Sequence, residues 1–99
     1  MTPTPTAHIA LLMLDLHIPE AASLKSKRKV ITSLKERIRS KFNVSVAEIG
    51  ELDKWQRTIF GIVTIGNDKK FVDSSINSVL NFVSTVGNVQ IFDSKIEFL

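Results

Sequence analysis

Ninety-nine residues, 43% of them hydrophobic and 23% charged, suffice for one domain with one core and exclude a disordered chain. The absence of cysteine excludes a disulfide framework, a thiolate metal site and a thiol nucleophile, and no apolar run approaches the roughly 18 residues that a membrane span needs. The net charge of +3 hides an asymmetry: residues 23–42 hold eight of the 13 Lys and Arg and a single acid, Glu36, a local charge of +7 that leaves −4 for the remainder.

Residues 1–7 (MTPTPTA) carry neither a basic n-region nor an apolar core, so they are not a signal peptide. A short, extended, flexible tail is expected there, and a cytoplasmic location for the protein. Residues 8–18 (HIALLMLDLHI) read as a strand closed by Pro19. Its even positions Leu12, Leu14, Leu16 and Ile18 make one apolar face. Its odd positions begin apolar (Ile9, Leu11, Met13) and end polar (Asp15, His17). A strand apolar on both sides is expected to be covered on both sides for most of its length.

Ser23 to Phe42 has the spacing of an amphipathic helix: Leu24, Ile31, Leu34, Ile38 and Phe42 share one sector, with Val30 at its edge. Ser23 suits the N-cap, where its hydroxyl can accept from an unpaired first-turn N–H. Beside the apolar stripe, Lys25, Arg28, Lys35 and Arg39 line one flank at i, i+3, i+10 and i+14, with Lys29 and Arg37 adjacent. Like charges at such spacings weaken a helix by roughly 0.2–0.5 kcal/mol per pair, so helix stability does not account for them. Two readings stand side by side. Lys and Arg are good helix formers on solvated faces, and an evenly charged ridge is an anion-binding surface.

Asn43 to Ile49 alternates and is rich in β-branched residues, a second strand. Residues 50–54 form the turn. Trp55 to Gly66 is a third strand, apolar on both faces, with Ile59, Val63 and Ile65 on one and Phe60 and Ile62 on the other. Asn67 and Asp68 are N-cap candidates for a second helix running to about Val86, with Val72, Ile76, Val79, Val83 and Val86 as its core stripe. Gly87-Asn88 ends it. Val89 to Phe98 is the last strand. Its pattern is mixed, with Phe92, Ile96 and Phe98 on one parity and Val89 and Ile91 on the other, and a bulge would reconcile the two.

The order β-α-β-β-α-β in one domain, residues 8–99, predicts an α+β, ferredoxin-like fold: a four-stranded antiparallel sheet, first and third strands central, both helices on one face. The helix-free face is expected to expose Ile9, Leu11, Met13, Phe60 and Ile62. A monomer rarely leaves such a patch open, so a homo-oligomer through this face is expected.

The segments LDLHIPEAASLKSKR, KFNVSVAEIG, WQR and GND, in that order and spread over nearly the whole chain after the tail, resemble the YlxP-like family of small bacterial proteins, a domain of unknown function. The resemblance implies a ferredoxin-like fold and genes beside those of translation initiation and ribosome maturation. A ribosome-linked or RNA-related role is thereby expected by association.

Candidate sites follow from chemistry. Cations in a row track a phosphate backbone, with binding that comes mainly from counterion release and is nearly sequence-blind. Lys25, Arg28, Lys29, Lys35, Arg37 and Arg39 are therefore the expected RNA contacts, with structured rRNA the natural partner. Base stacking on the sheet face is not expected, because strand one offers Met13 and strand three only Phe60. A second candidate lies at one rim of the sheet, where antiparallel pairing brings His17 near Trp55, Gln56 and Arg57, with Glu20 and Glu48 in reach. Imidazole, guanidinium and carboxylate together could do acid-base work. Ordinary roles are preferred: His17 pinning the Pro19 turn, Arg57 pairing with Glu48 or Asp15, Trp55 lidding the core. No HExxH motif, Cys/His cluster or paired-carboxylate spacing points to a metal, and no cofactor is expected. The helix stripe belongs to the core, so no membrane partner is expected. The leading expectation is a non-enzymatic, RNA-associated accessory protein. Its rivals are a structural or protein-interaction module, and a small enzyme at the His17/Arg57 rim.

Overall fold

The computed structural model describes residues 5–99. The first four residues of the expected tail thus lie outside the described part, while residues 5–7 are exposed and without regular structure. Six elements follow: β1 (His8–His17), α1 (Leu24–Lys41), β2 (Ser45–Gly50), β3 (Arg57–Gly66), α2 (Lys69–Ser84) and β4 (Gln90–Phe98). The strands form one antiparallel sheet in the order β2-β3-β1-β4. This is the expected ferredoxin-like arrangement, with β1 and β3 central.

The helix boundaries come from local chemistry. Ser23 has an extended backbone, and its hydroxyl accepts the Ser26 N–H at 3.0 Å while Ser26 Oγ accepts the Ser23 N–H at 3.1 Å, a reciprocal capping box. Asp68 caps α2 by accepting the Lys70 N–H at 3.0 Å. Both apolar stripes are buried on one side of the sheet. Ile31, Leu34 and Ile38 of α1 and Val72, Ile76, Val79 and Val83 of α2 close over Leu12, Leu14 and Leu16.

The parity of β3 is the reverse of the expected one. Phe60 and Ile62 are fully buried under the helices rather than on the open face. The pairing explains it: Phe60 lies opposite Leu14 and Ile62 opposite Leu12, and directly opposed residues share a face. Thr58 and Thr64, of the same parity, are buried with hydroxyls bonded to Glu48 Oε2 (2.6 Å) and the Asn43 carbonyl (3.4 Å). The open face is formed instead by Ile59, Val63 and Ile65 across from Asp15, Leu11 and Ile9, with Gly61 opposite Met13. Ile9, Leu11 and Met13 do lie on that face, half-buried.

Two irregularities adjust it. Between Asp15 and Leu16 the β4 register jumps from Asp93 to Ile91, leaving Phe92 as the extra residue. Ile91, Ile96 and Phe98 then oppose Leu16, Leu12 and Ala10 on the helix side, which resolves the mixed pattern of that strand. A similar shift in β2 leaves Ile49 unpaired between Glu48 and Gly50. Ile49 folds over Gly61, where an added Cβ would meet its Cδ1 at 3.3 Å.

Candidate nucleic-acid interface

α1 places its cations in two groups rather than one ridge. Lys25, Arg28 and Lys29 are exposed and line a shallow surface groove with Thr32, Ser33 and Glu36. Farther along, Arg37 and Lys41 sit over the Phe82 ring of α2, 5.4 and 5.1 Å from its centroid. Between the groups, Lys35 is half-buried and Arg39 turns toward β2, donating Nη2–H to the Val46 carbonyl at 3.0 Å. Among the described residues, no carboxylate lies within 4.0 Å of any of these cations. The first turn of α1 holds no acid either, so Lys25 adds to the positive end of the helix dipole instead of offsetting it, with Arg28 and Lys29 in the next turn.

One of the eight cations is not at the surface. Lys27 is 1% exposed. Its ammonium forms an ion pair with Glu48 Oε2 at 3.1 Å and donates to the carbonyls of Glu51 (2.7 Å) and Leu52 (3.5 Å), and Glu48 accepts from Thr58. Glu51, whose carbonyl is bound, is the one non-glycine residue with positive φ among the described residues, at 58°. Lys27 therefore ties the first turns of α1 to the β2–β3 connection and holds a left-handed residue in place. The signal was in the spacing: Lys27 stands four residues before Ile31, on the apolar stripe.

At the rim, one of the ordinary roles preferred from sequence is present, the pairing of Arg57 with Asp15. Arg57 forks onto Asp15, Nε to Oδ1 at 3.0 Å and Nη2 to Oδ2 at 2.8 Å, with Glu51 Oε1 at 3.8 Å from Nη1. The hydrogen bonds that Arg57 donates hold the Asp15 carboxyl below the usual carboxylate range, and the same bonds, accepted by Asp15, raise the guanidinium further. Glu48 points to the helix side and is committed to Lys27, not to Arg57. Glu20 is exposed and makes no ion pair among the described residues. His17 does not pin the Pro19 turn: its Nδ1 is 3.3 Å from Gln90 Oε1 and its ring stacks on Phe92, centroids 4.9 Å apart at 29°. The turn is held by Gln56, whose Nε2 donates to the Pro19 and Ala21 carbonyls at 3.0 and 3.2 Å. Trp55 is 55% exposed, so it does not lid the core. Imidazole, guanidinium and free carboxylate are thus not brought together. Among the described residues no group of three His, Cys, Asp or Glu could hold a metal ion, and no helix is long and apolar enough to cross a membrane.

The family model described as "Protein of unknown function (DUF503)" matches residues 9–96. A relative, "Uncharacterized protein YlxP" of Bacillus subtilis (strain 168), is 38% identical over 73 residues, spanning 74% of this chain and 79% of that protein. Among solved structures, "De novo designed protein Foldit4" superposes with a TM-score of 0.54 at 12% identity over 93% of this chain and 96% of its own, a likeness of fold alone.

Proposed function

The chain belongs to the DUF503 family, a membership that prescribes no chemistry, and from its own surface we propose that it is a non-enzymatic, RNA-associated accessory protein. The N-terminal half of α1 meets the phosphate backbone, and structured rRNA is the partner in view. The observation that carries this reading is the trio Lys25, Arg28 and Lys29, exposed in one groove without a carboxylate partner among the described residues. Glu36 lines the same groove without an ion pair to them, while Glu48 is committed to Lys27 and Asp15 and Glu51 to Arg57. Three cations against the single carboxylate of Glu36 leave the groove net positive beside a helix start, which favours an anion. Lys35 and Arg39 contribute less, one half-buried and the other bonded to β2.

Affinity for a short RNA duplex should fall steeply between about 50 and 200 mM salt. The triple variant Lys25→Glu, Arg28→Glu, Lys29→Glu should abolish binding while its circular dichroism stays native. Unchanged binding by that variant would end the proposal.

A second reading, a self-associating module, is favoured by one observation. Leu11, Met13, Ile49 and Val63 surround an almost wholly apolar depression of about 250 Å³ at Gly61 on the open face. The two readings are compatible, because the exposed cations of α1 and this depression lie on opposite sides of the sheet.

A further inference from the structure

A cleft of about 390 Å³ opens where β1 ends and β3 begins, lined by His17, Lys54, Trp55, Gln56, Arg57 and Phe92. Two large aromatic side chains stand in water at its edges, Trp55 at 55% and Phe92 at 63% exposure. Neither position is a by-product of core packing. Phe92 belongs to β4 and reaches the open face because the bulge makes it the extra residue, and its ring is then backed by His17. Trp55 lies in a connection fixed at both ends, by Lys27 on the Glu51 and Leu52 carbonyls and by Gln56 on Pro19 and Ala21. The backbone on either side of Trp55 is thus anchored, and the Phe92 ring is backed by His17.

The charge around the cleft selects its occupant. Lys54 is exposed and has no carboxylate partner among the described residues. Through Lys27, the first turns of α1 with Lys25 and Arg28 stand beside the same connection. Asp53, next to Lys54 in the chain, is exposed in the same connection and makes no ion pair among the described residues, while Glu51 is paired with Arg57. A flat heteroaromatic ring joined to a phosphate satisfies both halves of the site: the ring stacks on exposed aromatics and the phosphate meets the ammonium.

We propose that this rim cleft is a stacking site for an unpaired nucleobase of single-stranded RNA, with Trp55 and Phe92 as its platforms and Lys54 at the attached phosphate. The site deepens the RNA reading and rests on it for the choice of polymer. It gives the protein a means of preferring unpaired strands, which the sequence-blind cations of α1 lack.

Trp55 is the only tryptophan and the chain has no tyrosine, so intrinsic fluorescence reports on this cleft directly. A single-stranded oligoadenylate should quench Trp55 emission saturably, and an abasic ribose-phosphate oligomer of equal charge should not. Phe92→Ala should weaken oligoadenylate binding, read by anisotropy of the labelled strand, by about tenfold, the scale of one lost stacking partner. Its affinity for an RNA duplex should stay the same. Because Phe92 is mostly exposed, an unchanged denaturation midpoint checks that the fold survives. The proposal is overturned if oligoadenylate binds without altering Trp55 emission, if the abasic strand binds equally well, or if Phe92→Ala changes nothing. A shift in Trp55 emission on concentrating the protein alone would assign the cleft to a second copy and likewise overturn it. Loss of the α1 reading is a separate result: the triple charge reversal then leaves duplex binding intact while oligoadenylate still quenches Trp55.

Discussion

At Lys27 the helical spacing and the charge point in opposite directions, and spacing prevails. The side chain occupies the core stripe, and its ammonium is accommodated because Glu48 and two backbone carbonyls reach it. Removing one partner of such a pair strands the other. Lys27→Met, which keeps the apolar stem, should lower unfolding stability by about 3 kcal/mol. Adding Glu48→Gln should recover part of that loss, as urea denaturation would register. The exposed Arg57–Asp15 fork acts through pH instead. The folded-state pKa of Asp15 is depressed, so the pair's contribution to stability is fully present above the unfolded carboxylate value of about 3.9. It is lost as pH falls through the lower folded value. The stability gap between the natural protein and Asp15→Asn should therefore be constant near neutrality and close in acid, as denaturation midpoints along a pH series would show.

The elements themselves follow from pattern and caps, but the orientation of two strands does not. β3 is apolar on both parities, so periodicity cannot say which face the helices cover; only its register with β1 assigns Phe60 and Ile62 to the core. The assignment has a direct consequence for mutation. Phe60→Ala should cost about 3–5 kcal/mol, by lost burial and the cavity left behind. Val63→Ala, three residues along and 37% exposed, should cost under about 1 kcal/mol. Equal losses in a denaturant titration would contradict the register. In β4 the bulge converts a pattern that looks irregular into a regular core face plus one displaced aromatic, and the displaced residue is the one with a surface role to propose.

At the scale of the whole molecule, the sheet separates two surfaces with different chemistry. The helix side carries the exposed cations of α1. The open side carries Ile9, Leu11, Met13, Val63 and Ile65, with Ile49 brought over Gly61 by the β2 irregularity. Apolar residues so contiguous favour a second copy as cover. The protein should accordingly show a dimer mass at micromolar concentration, and Val63→Glu should return it to monomer without unfolding it. A monomer throughout that range would count against self-association. RNA binding through α1 should survive the Val63→Glu change, since the two surfaces lie on opposite sides of the sheet.

Sequence by itself determined the element order, the Ser23 cap, a cap at Asn67 or Asp68 for the second helix, the core stripes of the helices apart from Lys27, and the central placement of β1 and β3. Each depends on local geometry: side-chain period, a hydroxyl or carboxylate at a helix start, or the length of an apolar run. It also marked α1 as the positively charged element. Only the tertiary structure decided which face of β3 is core, that Lys27 is consumed inside the fold, that Arg39 is tied to β2, and that Phe92 meets His17 beside Trp55. These outcomes depend on strand register and on partners in other elements, 7 to 75 residues distant in the chain. A one-residue slip reverses every side chain of a strand, and no local pattern in a doubly apolar strand encodes that choice.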